Sequence, residues 1–315
     1  MKTFLHIVLG MLAAGICAAA SLDDYKAQML AEVPKAQAGN GNLTVSFIGV
    51  ATLLFDDGET AIMTDGFFTR PAQNALRSVK PDRDVIAKAL KRAGVTTLVA
   101  VIPVHSHFDH AMDSPFVAQD TGALLVGSSS TGNIGKGYGL PESRIRVVNY
   151  GDTATFGRFK VTFLESAHLP AGYATGKITE PLHAPAMASD FREGDCYSLL
   201  IEHEGRTMLV QGSAGFVPGA LNGRKADVVF LGIGGVNSRG EAYRDAYWRE
   251  IVRTVGARRV VPIHWDNFFL SLGNALTPNS DFYGSMEFLQ ARGKADGVDI
   301  RLPPLWLPTD PFSGL

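Results

Sequence analysis

Val104-His105-Ser106-His107-Phe108-Asp109-His110 constrains this chain more than any other stretch. Four potential metal ligands fall within six residues, directly after the apolar run 97–103. That run is rich in Val and too short for an ordinary helix, so it reads as a buried strand. The ligands therefore sit where a core strand ends and the chain turns. His105 and His107, two apart in extended chain, project to one side and can share a metal. Asp109 and His110 lie past the turn and can face a second metal. Imidazole with carboxylate suits Zn, Mn or Fe, and all-imidazole sites favour Zn.

The rest of the chain can support such a site. Hydrophobic residues make up 46% and charged residues 19%, the balance of a globular protein with an ample core. The net charge of −2 comes without a basic patch or charge block, so neither nucleic acid nor an acidic membrane surface is expected as a partner. Residues 1–20 read as a secretory signal: Lys2 precedes an apolar stretch at 4–16, and Ala18-Ala19-Ala20 stands before Ser21. The expected product is exported, periplasmic or secreted, without a stable membrane anchor. Its only cysteine would be Cys196, so no internal disulfide is expected. Cys196 opens an apolar strand and reads as a small core residue.

In order, 21–42 reads as a helix or extended arm. Two short strands follow at 43–55, broken at Gly49, then a third at 60–64 after the Asp56-Asp57-Gly58 turn. A helix spans 85–93 with Gly94 as its C-cap. Past the strand 97–103 come a strand at 123–126, a Gly/Ser-rich loop at 127–139, and strands at 144–149 and 160–165. His168 stands just beyond the last of these. The connection 169–195 reads as a lid or wall over the ligands, or nearly as well as a solvated loop. A hairpin follows (196–202 and 207–211), then a strand at 226–231, a helix at 242–255, a strand at 259–263 ending in His264, and a helix at 281–292. No linker divides 43–315, so one domain is expected.

Collected at strand ends are His105, His107, Asp109, His110, His168 and His264. This set resembles the metallo-β-lactamase superfamily, whose signature is H-x-H-x-D-H with later ligands at further strand ends. The resemblance covers roughly 43–270. Phe47-Ile48-Gly49, Thr52-Leu53-Leu54, Thr64-Asp65, Ile233-Gly234-Gly235 and Val261-Pro262-Ile263-His264 look closest to the ascorbate-6-phosphate lactonase-like branch. The resemblance implies an α+β fold of α/β type, a four-layer αβ/βα sandwich. It also implies His105, His107 and His168 on a first zinc and Asp109, His110 and His264 on a second. The family usually places a bridging Asp where this chain has Ser213, so the second site is expected to bind more weakly.

The expected function is that of an exported zinc hydrolase, cleaving a lactone, ester or similar small substrate with a metal-bound hydroxide. Asp109 would be the catalytic carboxylate that orients it. Alternatives are a phosphodiesterase or phospholipase, with Arg70 and Lys177 able to hold phosphate, and a non-catalytic metal- or ligand-binding member. Asp65 is a candidate acceptor for a ligand imidazole N–H. His183, Lys177, Tyr173 and Arg192 are candidate substrate contacts on position alone. His203, beside a hairpin turn, reads as solvated.

Overall fold

Short apolar runs separated by glycine and an Asp-Gly turn form a meander, β1 (Thr44–Phe47), β2 (Leu53–Asp56) and β3 (Ala61–Thr64), antiparallel throughout. The structure, a computed structural model, describes residues 21–315; the expected leader lies outside the described residues. Helix α1 (Arg83–Ala93) starts where the Asp82 side chain accepts from the amides of Asp84 and Val85, and stops at Gly94 with φ 64°. It returns the chain to β4 (Leu98–Ile102), parallel to β3. After α2 (Phe108–Ala111) and α3 (Ser114–Thr121) come β5 (Leu124–Gly127), α4 (Ser129–Gly137) and β6 (Ile145–Val147). The parallel strands extend the first sheet.

The second sheet repeats this plan. β7 (Thr153–Phe156), β8 (Phe159–Ser166), β9 (Cys196–His203) and β10 (Arg206–Gln211) are antiparallel. β11 (Val228–Gly232), α5 (Glu241–Trp248), β12 (Arg259–Ile263), α6 (Phe282–Asp296) and β13 (Asp299–Ile300) then add parallel strands. Finally β14 (Pro308–Thr309) crosses back to pair with β1, giving two seven-stranded sheets.

Strand alternation explains the layering. Leu53, Phe55 and Ile62 join residues of the second sheet in one core, and Phe55 meets Phe230 edge-on at 5.7 Å between centroids. Leu54 and Met63 point the other way, onto Ile86, Ala89 and Leu90 of α1. On the far side Trp248, Phe282 and Met286 from the segments around α5 and α6 pack onto the second sheet. The result is the expected αβ/βα sandwich.

Several local expectations are corrected. The stretch 127–139 is not a loop but largely α4: Ser128 accepts from the Thr131 amide, and Gly135 lets the helix sit on β5, where a Cβ would lie 2.7 Å from Leu125. The helix at 242–255 is α5 followed by a π-helical turn at Arg249–Arg253. The arm 21–42, expected as helix or extended chain, holds a 3-10 helix at Leu22–Gln28 and no further helix. β7, β13 and β14 are additional to the expected strands. The connection 169–195 is mostly exposed, as a solvated loop would be, but is pinned at points: Leu182 donates to the Asn133 carbonyl and Ala186 exchanges backbone bonds with Val79. His203 is buried, not solvated, with Nε2 3.0 Å from Asp57 Oδ2.

Candidate metal centre

The strand ends gather the ligands. β4 ends at Ile102, and the next turn of chain carries His105, His107, Asp109 and His110, all buried. His168 stands two residues beyond β8, and His264 directly follows β12. Two groups result, His105/His107/His168 and Asp109/His110/His264, and in each the ligand atoms lie within 4.8 Å of one another. Ring centroids of His105 and His110 are 3.9 Å apart, so the groups are neighbours.

The backbone is bent to achieve this. Asp65 and His264 have φ of 54° and 55°, the left-handed region that side chains other than glycine rarely adopt. Asp65 uses that bend to place both oxygens: Oδ1 accepts from the Val104 amide at 2.9 Å, and Oδ2 lies 2.7 Å from His110 Nδ1. A carboxylate there fixes the imidazole with Nε2 turned inward.

Four of the six donors, His105, His107, His168 and Asp109, are in states that suit a cation. Burial and the neighbouring imidazoles hold His105 below the usual histidine range; burial does the same to His107 and brings His168 down to about 4. These rings are neutral and have lone pairs to give. Burial alone would raise Asp109, but the imidazoles of His110 and His264 override it and hold the carboxyl well below the usual carboxylate range. For His110 burial opposes charge, yet the Asp65 and Asp109 carboxylates prevail and raise it. Its inward Nε2 is buried without a hydrogen-bond partner, an orphaned polar atom of the kind a metal would satisfy. An N3 group beside an N2O group fits a pair of divalent metals in the borderline range.

A cavity of about 420 Å³ opens over the two groups, with His107, Asp109, His168 and His264 in its lining. Ser213 and Tyr173 also line it. The Ser213 hydroxyl accepts from the Leu169 amide at 3.0 Å, so it holds the turn after His168. Lys177 pairs with Asp195 at 2.8 Å, and His183 is exposed; neither lines the cavity, nor does Arg192. Arg70 is buried in an ion pair with Asp266 at 2.7 Å, which removes it as a phosphate contact. Asp266 and the cavity residues Phe268, Phe269 and Asn279 were not singled out in the sequence. For Asp266, Phe268 and Phe269 the only signal is position just after a ligand-bearing strand; Asn279 lies well beyond it and has none.

Two mixed sheets flanked by helices, with two His/Asp groups at their strand ends that could each hold a metal ion, place the protein in the α/β-sandwich class. Residues 61–265 match the sequence profile of the Beta-lactamase superfamily domain, and the chain belongs to the metallo-β-lactamase superfamily. It is similar to a protein named metal-dependent hydrolase from Rubrobacter xylanophilus, 28% identical over 233 residues that cover 72% of this chain and 84% of the relative. A protein of the same name from Staphylococcus saprophyticus is 26% identical over 231 residues, 72% of this chain and 88% of the relative. Among solved structures, the metallo hydrolase Igni18 from Ignicoccus hospitalis superposes with a TM-score of 0.51 at 16% identity, covering 85% of this chain and 97% of that one.

Proposed function

We propose that the protein is a metal-dependent hydrolase holding two zinc ions, one in each ligand group, and that it cleaves a lactone, ester or similar small electrophile. The observation that carries this reading is the convergence of the two groups on one cavity. When bound, the metal pair supplies a water acidified toward neutral pH and a Lewis acid for the substrate oxygen.

The chain's own residues do the rest. Asp109 stays ionised, as an acceptor only, with Oδ2 3.5 Å from His110 Nε2 and 3.4 Å from His264 Nε2. From there it can orient the attacking water by accepting its hydrogen bond. Asp65 keeps the His110 ring from turning, and the Leu169 carbonyl, 2.7 Å from His168 Nδ1, does the same for that ring. Relatives named metal-dependent hydrolases support hydrolysis over a binding role.

His107→Ala removes a ligand from the all-histidine group. Zinc per chain should fall by about one and turnover of lactones and esters by about 10³-fold or more, because both bound metals share the reaction. Full activity in a zinc-depleted variant would end the proposal.

A further inference from the structure

The cavity's walls differ from its floor. The ligands form the floor, but one wall is aromatic. Phe268 stands 5.7 Å from the His264 ring, 6.1 Å from Phe108 and 4.6 Å from Phe269, centroid to centroid. Leu76 and Leu169 add aliphatic surface. The wall is held by the turn that follows β12. Asn267 donates its amide to the Thr277 carbonyl at 2.7 Å, its carbonyl accepts from Leu270 at 3.2 Å, and its side chain accepts from the Phe269 amide at 3.1 Å. The same strand end thus delivers a ligand, His264, and the wall four residues later.

Among the described residues, no lysine or arginine lines this cavity. The polar groups on it besides the ligands are neutral: Tyr173, Asn279 and Ser213, the last already accepting from Leu169. A charge on the part of a substrate remote from the metals would lose water there and gain no counter-charge. An apolar group would instead gain from leaving water. A volume of about 420 Å³ lies within the range of small-molecule sites.

We infer that the substrate is an uncharged ester or lactone bearing an apolar aryl or medium-length alkyl group, and that Phe268 and Phe269 are the residues that select it. The inference rests on the hydrolytic reading of the metal site. In the reaction water adds its oxygen to the acyl carbon and the acyl–oxygen bond breaks. One water proton goes to the departing alkoxide, and the other is released from the acid product at neutral pH.

Two series test this on the zinc-loaded protein: p-nitrophenyl esters from acetate to hexanoate for kcat/KM, and the matching non-ester primary amides for binding by calorimetry. Both slopes should be roughly threefold per methylene, nearly a hundredfold across the series, as expected for methylenes that are largely buried. Phe268→Ala/Phe269→Ala should flatten both slopes without changing zinc content. Should that variant fail to fold, Leu76→Arg offers a second route. It places a cation on the partly exposed wall and should raise the rate on a hemisuccinate ester relative to the butyrate ester by at least about tenfold. Flat slopes in both series, or a wild-type preference for the hemisuccinate or for a phosphodiester, overturn the inference. Chain-dependent amide binding with no turnover of any ester supports the apolar site and refutes the hydrolytic reading instead.

Discussion

Asp65 and Asp113 are both fully buried carboxylates, and their partners give them different work. Asp65 faces a histidine, His110. Asp113 faces backbone: its Oδ2 accepts from the amides of Phe68 and Thr69, while Oδ1 has no partner. Burial outweighs those amides and pushes Asp113 up to about 7. The folded protein therefore binds this proton more tightly than the unfolded chain, whose aspartate titrates near 3.9. The stability so contributed is complete below about pH 4 and lost as pH rises through about 7. Asp113→Asn keeps an oxygen for the two amides and has no proton to lose. Urea unfolding of the metal-free proteins should show wild type losing roughly 2–4 kcal/mol relative to the variant between about pH 4 and pH 7. A difference constant with pH would mean that Asp113 is ionised in the fold throughout. At this scale the sequence was legible where chemistry is dense. Six ligand candidates stood out because histidine and aspartate seldom cluster at strand ends. Arg70 and His203 are read differently from sequence because their partners, Asp266 and Asp57, are far away in the chain, and no local pattern reports a long-range polar contact.

The element that most needs explaining is the return of β12 toward the β1–β2 turn. Gly49 and Val50 form that turn with φ of 101° and 50°, and the second is an outlier for a β-branched residue. The φ of 101° strains any side chain at Gly49, and a Cβ there would lie 2.2 Å from Arg70 Nη2, so the buried guanidinium would have to move. Val50 is held from both sides: its amide donates to Asp266 Oδ1 at 2.8 Å, and its carbonyl accepts from the His264 amide at 2.6 Å. The buried Arg70–Asp266 pair thus fixes the backbone that carries a ligand. Removing one member strands the other charge. Asp266→Asn and Arg70→Met should each cost about 3–5 kcal/mol. The double variant Arg70→Met/Asp266→Leu should recover most of that loss, because no buried charge remains. Its affinity for the second metal should still be lower than wild type by about tenfold or more, since Val50 has lost its acceptor. Thermal melts and a chelator competition read the two effects separately. Equal metal affinity in the double variant would show that the pair serves stability alone. Elements like this β12 end were legible as strand plus ligand from their apolar runs. α4 was not, because its glycines read as loop and its helical state depends on close packing against β5 and β6.

For the whole molecule the informative fact is the repeated strand order. β1–β3 and β8–β10 are antiparallel meanders, and each is extended by three parallel strands, β4–β6 and β11–β13. No sequence repeat announces this, since the halves share only the alternation of buried positions. Each metal group takes two ligands from the first half and one from the second: His168 after β8 for one, His264 after β12 for the other. Bound metals would therefore tie the two sheets together at one end. The opposite ends of the strands have their own tie. Asp57, between β2 and β3, accepts from Arg158 Nε at 3.0 Å before β8, and its Oδ2 meets His203 Nε2 at 3.0 Å where β9 ends. It also accepts from the amides of Glu59 and Thr60. The two ties lie at opposite ends of β3 and β8, so their contributions should add. Removing metal with a chelator should lower Tm by about 5–10 °C. Asp57→Asn should cost about 2–4 kcal/mol, because it leaves buried donors short of a charge. Its effect should be the same with and without metal to within about 0.5 kcal/mol. A larger difference would mean that the sheets transmit strain from one tie to the other and that the sandwich behaves as a single rigid unit. Equal costs would mean that each half tolerates loosening at one end while the other holds.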